Sequence, residues 1–272
     1  MTSYQQQLDA VMAQLSTDYK RLNKSQQAQA IKTIHSVRLD INDLLNDYSG
    51  KDGVIKRTRL TQLLREFDTI EKMIRANGTA VMSEIITTTS DTTIKGINAG
   101  FLSVLGMTAV SKSSISLLNE NVFEAVIKRY EKDGLILSDR IWRLAGTERD
   151  RLTTVIRSGI IQGKSVSELV ADVRRVQDAG TYAIKRMVVT EGQTARRTAT
   201  SHVASRSDLI RGLKLHHGWH NTKICVDLSK ADDYDMGVGV YPPDAYEIYN
   251  PHPHCTSYLT YVLKRGDNDD YE

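Results

Sequence analysis

Apolar residues near the start of the chain recur at helical spacing. Leu8, Val11, Met12, Leu15, Tyr19 and Leu22 follow an i, i+3, i+4, i+7 pattern, which predicts an amphipathic helix. Ser25 is placed to cap a second helix, with a seam of Ile31, Ile34, Ile41, Leu45 and Tyr48. The Ser49–Gly53 cluster reads as a turn. A third helix carries Leu60, Leu63, Leu64, Phe67, Ile70 and Ile74, and Asn77-Gly78 is expected to end or interrupt it. Residues 79–112 break the pattern with TTTSDTT at 87–93 and with Gly96, Gly100 and Gly106 among Phe101, Leu102, Val104 and Leu105. This reads as a mobile apolar segment, which either enters a partner's groove or crosses the core. Residues 1–112 are thus expected to form a helical arm or stack.

Helical patterning resumes after Leu118. A short helix carries Val122, Phe123, Val126, Ile127 and Tyr130, and Asp133-Gly134 turns the chain. Ser138 opens another, through Ile141, Trp142, Leu144, Leu152 and Ile156, which Gly163 should end. Ser165-Val166-Ser167-Glu168 is a capping box before Leu169, Val170 and Val173. The stretch 183–214 then reads as one long central helix. It has an apolar side of Ile184, Met187, Val188, Ala195, Leu209 and Leu213. Lys185, Arg186, Arg196, Arg197, Arg211 and Lys214 fall on another side. Glu191 and His202 project from the apolar side and need partners if buried. Thr190 sits beside Glu191.

The tail changes character from Leu215. Ser257–Leu263 alternates and is rich in strand formers, while Lys214–His220 and Lys223–Asp227 are weaker strand candidates. A small antiparallel sheet against the central helix is expected, with a long loop from Ser229 to Pro253. The fold class is therefore mainly α with a small C-terminal antiparallel β element, an α+β arrangement. The expected domains are the helical region 1–112, a compact domain 113–263 and an acidic tail 264–272.

Charge changes this picture only locally. Thirty-six Lys and Arg against 33 Asp and Glu give a net charge of +3, so whole-chain electrostatics does not mark a nucleic-acid binder. The central helix region is more basic, and its cationic side is either a solvated face or a contact for DNA phosphate or an acidic partner. No apolar run is long enough to span a bilayer, and the N-terminus lacks a secretory pattern. Two cysteines allow at most one disulfide and suit a reducing compartment.

The candidate chemistry lies in the tail. Cys225, His252, His254 and Cys255 offer the sulfur and imidazole ligands that zinc takes, with His220 nearby in sequence. The spacing is not that of a zinc finger, so a metal site, two adjacent free thiols and a disulfide all stay open. No GxSxG, P-loop, GxGxxG or HExxH pattern is present, so no common catalytic signature explains the chain.

From about Gly163 to Leu263 the order of features resembles the Mu F-type phage minor head proteins, also called phage head morphogenesis proteins. The resemblance rests on Gly163-Lys164-Ser165-Val166-Ser167-Glu168-Leu169, Thr190-Glu191, Trp219, Cys225 and His252-Pro253-His254-Cys255. The chain departs from the family pattern at Val189, where an arginine is common, and in keeping one cysteine of each expected pair. The resemblance implies a non-enzymatic protein of the virion, present in the host cytoplasm during assembly. It implies association with the portal protein and the procapsid, and support for DNA packaging or delivery. It also makes Thr190, Glu191, His202 and Trp219 a structural core. Two other readings compete: an enzyme using Glu191 or the His-rich loop, and a nonspecific DNA-binding protein.

Overall fold

A computed structural model describes residues 3–131, 133–219 and 222–264. His220 and all but Lys264 of the acidic tail lie outside the described residues. The chain is mainly α, with one small antiparallel sheet near its C-terminus, as the hydrophobic pattern predicts. The helices are α1 (Tyr4–Ile34), α2 (Arg38–Asp47), α3 (Leu60–Leu105), α4 (Ile115–Ile127), α5 (Leu137–Gln162), α6 (Val166–Ala204) and α7 (Lys223–Lys230). The strands are β1 (Ile210–His216), β2 (Val240–Tyr241) and β3 (Tyr258–Leu263), ordered β2-β1-β3. No helix among the described residues is long and apolar enough to cross a membrane.

Two compact units emerge, each assembled from interleaved segments. One contains residues 1–26, 83–128 and 186–272; the other contains 27–82 and 129–185. This differs from the serial division at residue 112 expected from the sequence. The reason is that α1, α3 and α6 are each continuous across a unit boundary, so neighbours in sequence part company within a helix.

Several expected breaks are absent. Ser25 caps nothing, because α1 runs on to Ile34 and is joined to α2 by a single 3-10 turn at His35–Val37. Asn77-Gly78 lies inside α3, which is 46 residues long. Gly78 is there for packing: a Cβ at this position would lie 3.0 Å from Ile141 Cγ2. The threonine run stays helical as well. Thr93 bonds back to the Thr89 carbonyl at 2.7 Å, and Gln26 donates to Thr89 Oγ1 at 3.0 Å. The segment expected to be mobile is the C-terminal turns of α3. Asn98 then holds the chain beyond α3 by both donating to and accepting from the Val110 backbone, each at 3.0 Å.

In the unit of 27–82 and 129–185, Ile34, Ile41, Leu63, Phe67, Ile141, Leu152 and Leu169 are fully or nearly fully buried. Gly163 ends α5 with φ of 76°, in the left-handed region where glycine carries no Cβ penalty. The capping box then starts α6: Ser165 N donates to Glu168 Oε2 at 2.8 Å, and Glu168 N donates to Ser165 Oγ at 3.4 Å. One carboxyl in this unit is buried at a cost. Glu148 sits where Gly180 leaves room, and burial raises its pKa, with Arg151 opposing.

In the other unit the sheet is closed at one edge by a side chain. Gln5 Nε2 donates to the Tyr261 carbonyl at 2.7 Å, and Leu263 N donates to Gln5 Oε1 at 2.9 Å. One amide thus occupies the edge of β3 as a neighbouring strand would. Phe101 of α3 meets Tyr261 edge-on, with ring centroids 5.5 Å apart.

Candidate functional site

The segment that organises the site is the C-terminal half of α6. Every residue from Val188 to Ser201 is buried, and nine of these fourteen are polar or charged. A helix interior of that composition is stable only if its polar groups are satisfied locally or by neighbours. Three threonines solve this by turning inward. Thr190, Thr194 and Thr200 donate to the carbonyls of Arg186, Thr190 and Arg196 at 2.7, 2.8 and 2.9 Å.

The tail satisfies several of the others, while Gln193 Nε2 and Oε1 and Arg197 Nη2 are buried without a partner among the described residues. The backbone N–H of His254 donates to Thr190 Oγ1 at 2.9 Å. Tyr261 of β3 donates its hydroxyl to the Thr200 carbonyl at 3.0 Å. Ser201 donates to Tyr249 Oη at 2.6 Å and also bonds the Pro243 carbonyl, to which Tyr249 donates at 2.6 Å. Arg197, only 1% exposed, donates through Nε to the Tyr249 carbonyl at 2.7 Å and through Nη1 to the carbonyl of Ser257 at 2.9 Å. Its Nη1 also reaches the Cys255 carbonyl at 3.5 Å. Glu191 is buried and partnered, as the sequence requires of it. His202 is half-buried near the end of the helix, and burial lowers its pKa, with the Arg206 charge adding to the effect. Trp219 is 43% exposed and carries Lys20 Nζ over its ring at 5.3 Å.

The basic side expected along 183–214 does not exist. The helix ends at Ala204, and the chain turns through Ser205–Asp208 into β1, so a 100° projection beyond that point has no meaning. Arg211 and Lys214 are exposed on β1, where Arg211 Nη2 donates to the Met236 carbonyl at 2.7 Å. Lys185 and Arg186 are exposed on α6, while Arg196 and Arg197 are buried. The two buried arginines are therefore withdrawn from any solvated face.

The same fold brings a sulfur–imidazole group together. Lys223–Asp227, a weaker strand candidate from its sequence, lies instead in the short helix α7. Thr222 caps it, accepting from Cys225 N at 3.4 Å. The cap places Cys225 Sγ 3.5 Å from Cys255 Sγ and 3.0 Å from His252 Nε2. Thr222 Oγ1 lies 2.9 Å from the same His252 nitrogen. Cys225 and Cys255 are both free thiols and fully buried. Cys225, His252 and Cys255 each offer a ligand atom within 4.8 Å of the others, a group able to hold a metal ion. His254 is not part of this group. Its backbone has φ of 63° and is turned to Thr190, so adjacency to Cys255 in sequence does not bring it to the sulfurs.

The two thiols behave as a pair. The hydrogen bond from Cys225 is the main influence lowering the pKa of Cys255, with the Arg197 charge helping, and Cys225 is raised in turn. No protein-family model, curated protein or solved structure matches the chain.

The sequence reading missed Thr222, Tyr249 and Ser201. Thr222 had a readable signal, since a threonine preceding a helical run is a common N-cap. Tyr249 and Ser201 had none, because their link spans 48 residues and depends on how the 242–250 loop folds.

Proposed function

We propose that the chain is a phage minor head protein of the Mu F type. It joins the portal protein and the procapsid during assembly, supports DNA packaging or delivery, and resides in the virion without catalysing a reaction. The observation carrying this reading is the convergence of the motif elements. Thr190-Glu191 and the His252–Cys255 segment, 61 or more residues apart in sequence, meet through the bond between His254 N and Thr190 Oγ1. Cys225 joins the same segment at His252 and Cys255. A motif whose members meet in a buried brace suits a scaffold, because Thr190 and the neighbouring Arg197, Ser201 and Tyr261 spend their donors on backbone carbonyls.

The brace also suits zinc. A tetrahedral site with normal zinc–ligand lengths separates two sulfurs by about 3.8 Å and a sulfur from a nitrogen by about 3.6 Å. The sulfurs stand at 3.5 Å and Cys225 Sγ to His252 Nε2 at 3.0 Å, so a modest outward shift accommodates the ion. Cys225, His252 and Cys255 would hold it, and bound zinc would cross-link α7 to the loop before β3. Lys185, Arg186, Arg211 and Lys214 remain the exposed cations available to packaged DNA or to an acidic partner surface.

Two measurements test the reading. Mass spectrometry of intact particles should find the chain, and the purified full-length protein should bind portal oligomers from the same phage. Absence from particles together with failure to bind portal would end the assignment.

A further inference from the structure

A second feature of the buried part of α6 is not used by the brace. Arg196 is 4% exposed, and no carboxylate among the described residues pairs with it. Its one hydrogen bond is long, from Nη1 to Ser16 Oγ at 3.4 Å. The rings of Tyr19 and Tyr258 lie 5.2 and 6.0 Å from its guanidinium carbon. Aromatic faces attract a cation, but they accept none of the five N–H groups in the way an oxygen does. Burial accordingly lowers the Arg196 pKa to about 10, and the neighbouring Arg197 charge contributes in the same direction.

Arg196 lines a cavity of about 80 Å³ between α1, α3 and α6. A water occupies roughly 10–15 Å³ on this measure, so the space holds about five to eight water-sized atoms. Its walls are unequal. Met12, Leu15, Leu22 and Ile97 make most of the lining apolar, and the exposed Thr92 stands at the rim. Asp18 also reaches the rim, where Arg21 pairs with it at 3.4 Å and offsets its repulsion of an anion. Thr200 has spent its proton on the Arg196 carbonyl, and Thr93 has spent its own on the Thr89 carbonyl. The remaining charge is one buried cation at the wall of a greasy space.

We propose that this cavity binds a small organic monoanion, a carboxylate on a short apolar body, with Arg196 as the fork that takes the carboxylate. A guanidinium matches a carboxylate with two parallel hydrogen bonds, and the aliphatic body replaces water against Leu15 and Ile97. Four to six heavy atoms of ligand, acetate to butyrate, fit the available space, by about the same volume arithmetic.

The test is thermal unfolding and calorimetric titration of the full chain with sodium butyrate, butyramide and sodium chloride at equal ionic strength. Butyrate should bind saturably and raise Tm, because a ligand that binds only the folded state stabilises it. Butyramide, equal in size but uncharged, should not, and chloride should act at least about tenfold more weakly than butyrate. Arg196→Met should abolish the butyrate response. Leu22→Phe, which narrows the cavity from its half-buried side, should weaken it while leaving Arg196 in place, and so decides the matter if Arg196→Met does not fold. No saturable butyrate effect, an equal effect of chloride or butyramide, or an unchanged effect in both variants would overturn the proposal.

Discussion

Arg197 Nη1 lies 2.9 Å from the carbonyl oxygen of Ser257, across 60 residues of sequence. This contact ties the buried half of α6 to the strand-bearing tail, and the same side chain also holds the Tyr249 carbonyl. Arg197→Met should cost about 3 kcal/mol or more, since removing the fork strands several buried carbonyls. Arg197→Lys should recover only part of this, because an ammonium cannot reproduce the planar fork. Chemical denaturation of the variants checks both values.

The edge of β3 offers a second test. Gln5→Leu should destabilise the protein by about 1–2 kcal/mol through loss of two hydrogen bonds. It should also promote concentration-dependent association, because an uncovered edge is a template for pairing. Size-exclusion chromatography over a concentration series reads the second effect.

Helix packing at Gly100 can be tested by steric substitution. A Cβ there would lie 2.5 Å from Val11 Cγ1, so α1 and α3 approach closely because the glycine lacks one. Gly100→Leu should cost about 1–3 kcal/mol by overpacking. Val11→Ala should rescue part of that loss in the double variant, a coupling expected only for residues in contact.

Much of this architecture was legible in the sequence. The seam from Leu8 to Leu22, the stop at Gly163, the capping box at Ser165 and the strand at 258–263 are all local signals. What was not legible depends on distant neighbours. Gly78 looks like a breaker until Ile141 is seen against it. Thr89 looks unhelical until Gln26 reaches it. Arg196 and Arg197 looked solvated because periodicity reports which residues share a side of a helix. It cannot report that a helix is covered all round. At the candidate site, Cys225, His252 and Cys255 could be named from composition, but their meeting depends on the Thr222 cap and the fold of the tail. His254 could not be separated from them by spacing alone.

Metal binding gives a direct check on that group. Elemental analysis should find about one zinc per chain, and Cys225→Ser or Cys255→Ser should remove it. His254→Ala should retain it, because His254 stands outside the cluster. Chelation should lower the Tm of the wild-type chain and leave the cysteine variants unchanged.

Glu148 predicts a pH effect of defined sign. Its folded-state pKa is raised above the ordinary 4.5, so the protonated form is the one the fold favours. The stabilisation is fully present below the unfolded value and is lost as pH rises through the folded one. Glu148→Gln should remove that loss. The variant should be at least as stable as the wild type at neutral pH, with the advantage shrinking as the solution is acidified toward the ordinary carboxyl range and gone below it. Tm measured across pH in both proteins reads this difference.

Hydrogen–deuterium exchange of the full chain tests the brace most directly. Amides of 188–201 and of 249–259 should be protected together in the wild type and should lose protection together in Arg197→Met. If the tail exchanges freely while the helix stays protected, the tail does not hold the buried polar face of α6, and the account is wrong.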